Sequence, residues 1–474
     1  MYGDNHAMLK RSITNKLIEW KNSSGHHPLV LRGLRQTGKT YIVKKFGTEH
    51  YKNVIYLDLR ANNSIHTAFD GDFDVDNMIL SISSAIKGAK FIPGETLLIL
   101  DEIQNCPNAR SSLKYWDIDG RFDVIATGSF LGIRCFRNTY KRGVPVGYED
   151  IIDMHPMTFI EFLENIGVSN DVLRHIDDSI AETKPINTTV HDSIRRYYLQ
   201  YLIVGGMPEA VNTFIETHDI NQVQRVQQRI IRSIRDDFGR YADSAGNDKI
   251  NETLKLRADA CLDSLPSQLA KDYKKFQYSL VNVKGHSPEK AKGLQYLVDL
   301  GLIYKAYNIN EISTPLEGRK KDNEFKAYMA DTGLLTAMLE HGTAAHILNG
   351  DLSSYKGAIA ENMVSSAFAA YDIPQYYYHA PSGSPELDFI FSNNGEATII
   401  ECKSNNNRAT SMKYVLDNPK KYGAHPAIKL ADSNIGNSGK YLTYPIYALP
   451  FILNKLNDPM IISTEEVNGA YSPD

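Results

Sequence analysis

The sequence predicts a multidomain α/β protein: a three-layer domain on a parallel sheet, a helical stretch, a helix-rich unit with a basic hairpin, and a smaller α/β domain. Three observations carry this. An apolar strand runs into a glycine loop and then a helix near residues 28–46, and a second apolar strand ends in two carboxylates at 101–102. Near residues 386–403 a hairpin pattern places acids on both strands and a lysine two positions beyond the last acid. With 474 residues, 42% of them apolar, the chain is long enough for about three or four cores. The boundaries read as 1–160, 161–250, 251–338 and 339–460.

The first element is "PLVLR" (Pro28 to Arg32), followed by Gly33-Leu34-Arg35-Gln36-Thr37-Gly38-Lys39-Thr40 and the helical Tyr41 to Phe46. Strand, G-x-x-x-x-G-K-T, helix is a phosphate-binding loop. Gly33 and Gly38 let backbone N–H groups turn inward around phosphate oxygens, and the helix N-terminus, from Tyr41 onward, adds its positive end. Lys39 is placed to reach the β and γ phosphates of ATP, and the Thr40 hydroxyl to ligate Mg²⁺.

The second element is "ETLLILDEIQ" (Glu95 to Gln104), an apolar run typical of a buried parallel strand that delivers acids at its carboxyl edge. Asp101 is suited to hold Mg²⁺ through water, and Glu102 to orient the attacking water. "NVIYLDL" (Asn53 to Leu59) and "RFDVIAT" (Arg121 to Thr127) supply further strands in a βαβ rhythm. After the latter comes Ser129, either a polar group near the γ-phosphate or a cap for the next helix.

Together "LRGLRQTGKT", "LLILDEIQ", "IATGSF" and "DMHPMTFIEFL" resemble prokaryotic AAA+ ATPases whose C-terminal half carries a restriction-endonuclease-like domain of unknown function. "VGGMPEAV" (Val204 to Val211), "PSQLAKDYKKFQYS", "FKAYMADTGLL" and the region around "IIECKS" match as well. The resemblance implies ATP as cofactor. Relatives carry an Arg shortly before D-M-x-P, where this chain has Gly147-Tyr148, so an arginine completing the ATP site is unassigned among Arg134, Arg137 and Arg142.

From Ile152 to about Ala242 the pattern is helical, with a Gly-Gly-Met-Pro break between two helices. Arg225, Arg229, Arg232 and Arg235 follow at helical spacing, either as a solvated face or as phosphate contacts. Residues 251–328 read as a winged helix with a basic hairpin. They carry thirteen Lys/Arg against ten Asp/Glu in a chain of net charge -4. So small an excess suits a protein neighbour as well as DNA.

In the last domain, "GAIAENMVSSAFAAY" predicts an apolar helix bearing Glu361, and "ELDFIFSNNGEATIIECKS" predicts a hairpin turning at Asn393-Asn394-Gly395. Asp388, Glu401 and Lys403 match the D…E-x-K nuclease layout. Asp388 and Glu401, with Glu361 added from the helix, are candidate hard-oxygen ligands for Mg²⁺ or Mn²⁺, and Lys403 would steady charge on a phosphate. An E-x-K strand also occurs as a plain salt bridge. The expected function is therefore an Mg²⁺-dependent ATPase joined to a nuclease-like domain acting on DNA. The alternative is an ATP-switched scaffold that binds DNA or a protein partner and cuts nothing.

No run is long and apolar enough to span a bilayer, and the N-terminal stretch lacks the pattern of a signal peptide. The four cysteines form no C-x-x-C pair. These features predict a cytoplasmic protein with neither a disulfide framework nor a zinc site.

Overall fold

The computed structural model describes residues 9–130, 147–238, 248–271, 274–340, 342–349, 356–403 and 409–456. Arg134, Arg137 and Arg142 lie outside these residues. Contacts divide the chain into two compact units, residues 1–168, 196–306 and 323–366 in one and 169–195, 307–322 and 367–474 in the other. The units interleave along the sequence.

In the first unit, β1 (Leu29–Gly33), β2 (Asn53–Asp58), β3 (Thr96–Asp101), β4 (Asp123–Gly128) and β5 (Asp150–Met154) form a parallel sheet in the order β2-β3-β4-β1-β5. Because side chains alternate, each strand feeds both faces. Leu29, Leu31, Leu97, Ile99 and Ile125 pack with Leu17 and Trp20 of the helix Ile13–Asn22 and Ile42, Val43 and Phe46 of the helix Lys39–His50. Val30, Leu98, Leu100, Val124 and Ala126 pack on the other face against Met78 and Ile82 of the helix Val75–Ala85 and Leu113 and Trp116 of the helix Pro107–Asp119. This is the predicted three-layer arrangement. A helix covering each face explains why β3 is buried at every residue.

Helices dominate the rest of this unit, among them Phe159–Asn165, Pro208–Thr217, Ile220–Asp236, Asp248–Leu269 and Ser287–Asp299. Thr158 and Glu161 close a capping box at the first of these, as expected from a Thr followed three positions later by Glu. After the helix Ser287–Asp299 come β6 (Ile303–Ile309) and β7 (Lys320–Met329).

In the second unit, residues 307–309 of β6 and 320–322 of β7 lie at one end of a mixed sheet. It also holds β8 (Tyr376–His379), β9 (Glu386–Asn393), β10 (Glu396–Lys403), β11 (Ala427–Ala431), β12 (Gly436–Asn437) and β13 (Leu442–Pro445), in the order β12-β13-β11-β10-β9-β8-β6-β7. β9 and β10 form the predicted antiparallel hairpin, and Asn394 and Gly395 at its tip both take positive φ, 49° and 80°, as a tight twisted turn requires. Leu387, Ile390, Ala397 and Ile399 point into a core shared with Met412 and Val415 of the helix Thr410–Leu416. The segment Tyr441–Leu453 packs into this unit. Tyr447 is buried and its hydroxyl lies 2.7 Å from His191 Nδ1. Among the described residues no helix is long and apolar enough to cross a membrane.

Candidate nucleotide site and C-terminal acidic centre

The order of the parallel sheet creates the first site. The glycine loop follows β1 and the paired acids end β3, and β4 lies between them, so the carboxyl ends of three strands converge. Gly33 approaches the β5 end so closely that a Cβ there would stand 2.3 Å from the Met154 carbonyl oxygen. Gly38 sits at φ +93°, the left-handed region that glycine reaches without strain, and opens the helix Lys39–His50. Both glycines of the motif are thus required by geometry.

Lys39 is buried, and its Nζ donates to the carbonyls of Gly33 at 3.0 Å and Leu34 at 2.9 Å. Burial pushes its ammonium down to about 8, against the raising influence of Glu102 and Asp101. Around Asp101 the hydroxyls gather. Thr40 Oγ1 donates to its two carboxylate oxygens at 3.1 and 3.0 Å, Tyr56 donates at 2.7 Å, and Thr127 Oγ1 also donates to it. Glu102 takes the left-handed conformation (φ 54°) and its carboxylate accepts from Gln104 Nε2.

Ser129, the residue expected to face the γ-phosphate, is buried just beyond β4. It is Thr127 whose hydroxyl touches Asp101 and receives the Glu102 N–H at 3.3 Å. The strand "DVIATG" carried that signal, since alternation turns Thr127 to the same face as Ile125 at the sheet edge next to β3. Arg11 was not signalled by any motif. Its guanidinium donates to the carbonyls of Thr37 (2.9 Å) and His155 (2.7 Å) and to Glu161 (3.2 Å), joining the phosphate loop to the "DMHPMTFIEFL" segment. Burial works against the Glu161 carboxylate, yet the Arg11 charge and the bonds from Thr158 and Ser12 hold it below its ordinary range.

A cavity of about 1000 Å³ opens beside the loop, lined by Thr37, Gly38, Thr40 and Tyr41 on one side and by Pro208, Glu209 and Asn212 on another. This volume suits a small-molecule ligand. Residues 25–163 match the family described as an AAA domain. The N-terminal module is an AAA domain. Residues 195–345 and 356–446 match two further families, each described as a domain of unknown function (DUF8612 and DUF4143). No curated protein matches the chain.

Among solved structures, the ORC2 protein of Aeropyrum pernix in ADPNP-ADP complexes is 12% identical, covering 74% of this chain and 96% of that one at a TM-score of 0.36. The ORC1 protein of the same organism, in complex with DNA, is 12% identical over 73% and 94% at 0.27. A signal transduction ATPase with numerous domains and a tetratricopeptide repeat sensor, from Pyrococcus horikoshii, is 12% identical over 77% and 48% at 0.26. Likenesses at these scores settle neither fold nor function.

The AAA domain is continuous with packed motifs from later in the chain. Arg35 of the phosphate loop pairs with Asp237, and Gln36 Nε2 donates to Ser233 at 3.1 Å. Of the arginines on Ile220–Asp236, Arg229 pairs with Glu209, and Arg235 with Asp263 at 2.5 Å and Asp259 at 3.5 Å.

The D…E-x-K residues lie in the second unit. Pairing of β9 with β10 runs to Phe389 opposite Ile400, which places Asp388 opposite Glu401 and therefore on the same face. Asp388 Oδ2 accepts the Cys402 N–H at 2.8 Å, and Glu401 Oε1 lies 2.6 Å from Lys403 Nζ. Burial tends to lower Lys403, but the charges of Glu401 and Asp388 outweigh it and hold the ammonium above its ordinary value. On the neighbouring parallel strand Lys429 stands in register with Glu401, lowered by burial and by the Lys403 charge. Glu361 belongs to the first unit. It is buried, ion-paired with Lys274, and accepts the Tyr328 hydroxyl at 3.0 Å, with Lys326 Nζ 4.0 Å away. Two ammonium groups therefore already compensate this carboxylate, the largest opposing effect being its own burial.

The charges of the basic hairpin are matched locally. Lys320 pairs with Glu317 at 2.5 Å and Asp322 at 3.5 Å, and Arg319 with Glu311 at 3.6 Å. Two of the hairpin's basic side chains are thus paired with acids a few residues away.

Proposed function

We propose that the AAA domain binds ATP with Mg²⁺ and hydrolyses it. The observation that carries this reading is the Thr40–Asp101 contact: a hydroxyl and a carboxylate, both hard oxygen donors, lie side by side at the mouth of the phosphate loop. That donor set fits Mg²⁺, which when bound would offset charge on the β and γ phosphates. Lys39 would turn from the Gly33 and Leu34 carbonyls to the phosphates, and Thr127 and Tyr56 hold Asp101 in one orientation. Glu102 would accept a proton from the attacking water, with Gln104 steadying its carboxylate.

The second part of the proposal concerns the C-terminal unit. The Asp388, Glu401 and Lys403 arrangement supports a nuclease-like centre. Its two carboxylates would hold Mg²⁺ or Mn²⁺, the metal supplying Lewis-acid polarisation of a phosphate. Lys403, held cationic by Glu401, would lie against phosphate charge. The winged-helix reading of residues 251–338 and its DNA contact belong to the same proposal.

A second reading is favoured by the locally paired charges of the hairpin. In it, the chain is an ATP-controlled binding protein whose C-terminal unit recognises DNA or a protein without cutting. One experiment divides them. Purified protein is assayed for ATP turnover and, with Mg²⁺ or Mn²⁺, for cleavage of DNA and RNA. Lys39→Ala and Glu102→Gln should suppress turnover, and unchanged turnover in both removes the ATPase reading. Lys403→Ala should abolish cleavage while sparing turnover. Absence of cleavage by wild type under every metal and nucleotide condition leaves the binding reading.

A further inference from the structure

We infer that Asn212 reads the base of the bound nucleotide and selects adenine over guanine. This rests on the reading of the phosphate loop as a nucleotide site and adds the residue that sets its base preference.

The cavity begins at Gly38 and Thr40 and is walled by the helix Pro208–Thr217. Pro208 Cγ and Met154 Cε come within 3.7 and 3.9 Å of the position a Cβ on Gly38 would take, so both stand directly against the loop. Asn212 lies one helical turn beyond Pro208 and therefore on the same face, further from the phosphates along the same cavity. A nucleotide with its phosphates on the loop would extend its ribose and base in that direction, past the apolar Met154, Pro208 and Leu9.

The second observation is chemical. Asn212 lines the cavity, its Oδ1 accepts no hydrogen bond among the described residues and is shut away from solvent, and a turn of the carboxamide about χ2 is what would present that oxygen to a ligand. A buried acceptor without a donor is costly, and a site that receives a donor on binding removes that cost. A carboxamide offers one acceptor and one donor side by side. Adenine presents the complement, its exocyclic amine as donor and N7 as acceptor. Guanine presents O6 and N7, two acceptors, which one carboxamide cannot pair together in either orientation. Hydrolysis does not require this contact. It sets which nucleotide enters.

The test is calorimetric titration of the full chain with ATP, GTP and purine riboside triphosphate, which keeps the ring of adenine but lacks its amine, each with Mg²⁺. Wild type should bind ATP about tenfold more tightly than either of the others. Asn212→Ala should weaken ATP about tenfold and leave GTP and the purine riboside analogue within about twofold, so that the three affinities converge. Melting temperature reports whether the variant folds, and the ATP and analogue comparison on wild type needs no variant at all. Equal affinity of wild type for ATP and the analogue overturns the inference, as does an ATP to GTP ratio unchanged by Asn212→Ala. If wild type binds none of the three, the nucleotide site itself falls with it. Binding without discrimination removes only the role of Asn212.

Discussion

Asp331 accepts the backbone N–H of Gly206 at 2.6 Å, and a methyl group added at Gly205 would stand 2.3 Å from the Asp331 Oδ1 atom. Two motifs far apart in sequence, "VGGMPEAV" and "MADTGLL", are thereby locked together. The same carboxylate caps the helix Thr332–Ala337 through the Leu334 N–H at 2.8 Å. Gly206 and Gly333 are equally constrained, since Cβ atoms there would meet the carbonyls of Met157 at 2.1 Å and Val204 at 2.5 Å.

Gly205 also sits at φ +69°, so Gly205→Ala combines backbone strain with a clash against a buried carboxylate. The expected cost is about 2 kcal/mol or more. Thermal denaturation should show the melting temperature falling by several degrees.

Burial raises Asp331 to about 6, with the N–H groups of Gly206, Leu334 and Gly333 pulling the other way. A carboxyl raised on folding contributes stability that is fully present below the unfolded value of about 4 and is lost as pH rises through 6. Asp331→Asn should therefore gain on wild type between pH 4 and 7, on top of a constant loss from the acceptor it lacks. Melting curves of both proteins across that range check the slope of their difference.

Lys39, held down to about 8, must be cationic to grip a phosphate. ATP affinity should weaken from pH 7 to pH 9, by up to about tenfold. Near pH 8 binding should take up a proton. Titrations in buffers of different ionisation enthalpy would reveal it.

Thr127→Val keeps the shape of the buried side chain and removes the hydroxyl that touches Asp101 and receives the Glu102 N–H. ATP turnover should drop about tenfold or more, with ATP affinity changed by less than about threefold. A matching Ser129→Ala variant compares the position the sequence favoured with the one the structure brings to Asp101.

Arg11→Ala leaves Glu161 buried without its cationic partner and releases the Thr37 and His155 carbonyls. Breaking a buried pair in this way costs about 3 kcal/mol. The melting temperature should fall by ~3–5 °C, and ATP should bind more weakly because the phosphate loop has lost its brace.

Local pattern alone made the AAA module legible. The loop glycines, the apolar strand ending in Asp101 and Glu102, and the βαβ rhythm depend on backbone sterics and burial, which act over a few residues. The β9–β10 hairpin was legible for the same reason, because Asn394 and Gly395 supply the positive φ angles of its turn. The register was set by the two-residue loop, Asn393 pairing with Glu396, and this puts Asp388 opposite Glu401.

What sequence could not determine is which distant groups meet. The order β2-β3-β4-β1-β5 puts β4 between the loop and the acids, and this brings Thr127 to Asp101. Arg11 ties Thr37 to His155 and Glu161, which lie 144 and 150 positions from it, and Lys274 compensates Glu361 from 87 positions away. These pairings depend on how layers stack and on where a buried charge finds its partner, quantities that belong to the packed chain. By itself the sequence determined the chemistry available at each site. The tertiary structure decided which carboxylates are satisfied by this protein's own lysines, as Glu361 and Glu401 are, and which by its hydroxyls, as Asp101 is.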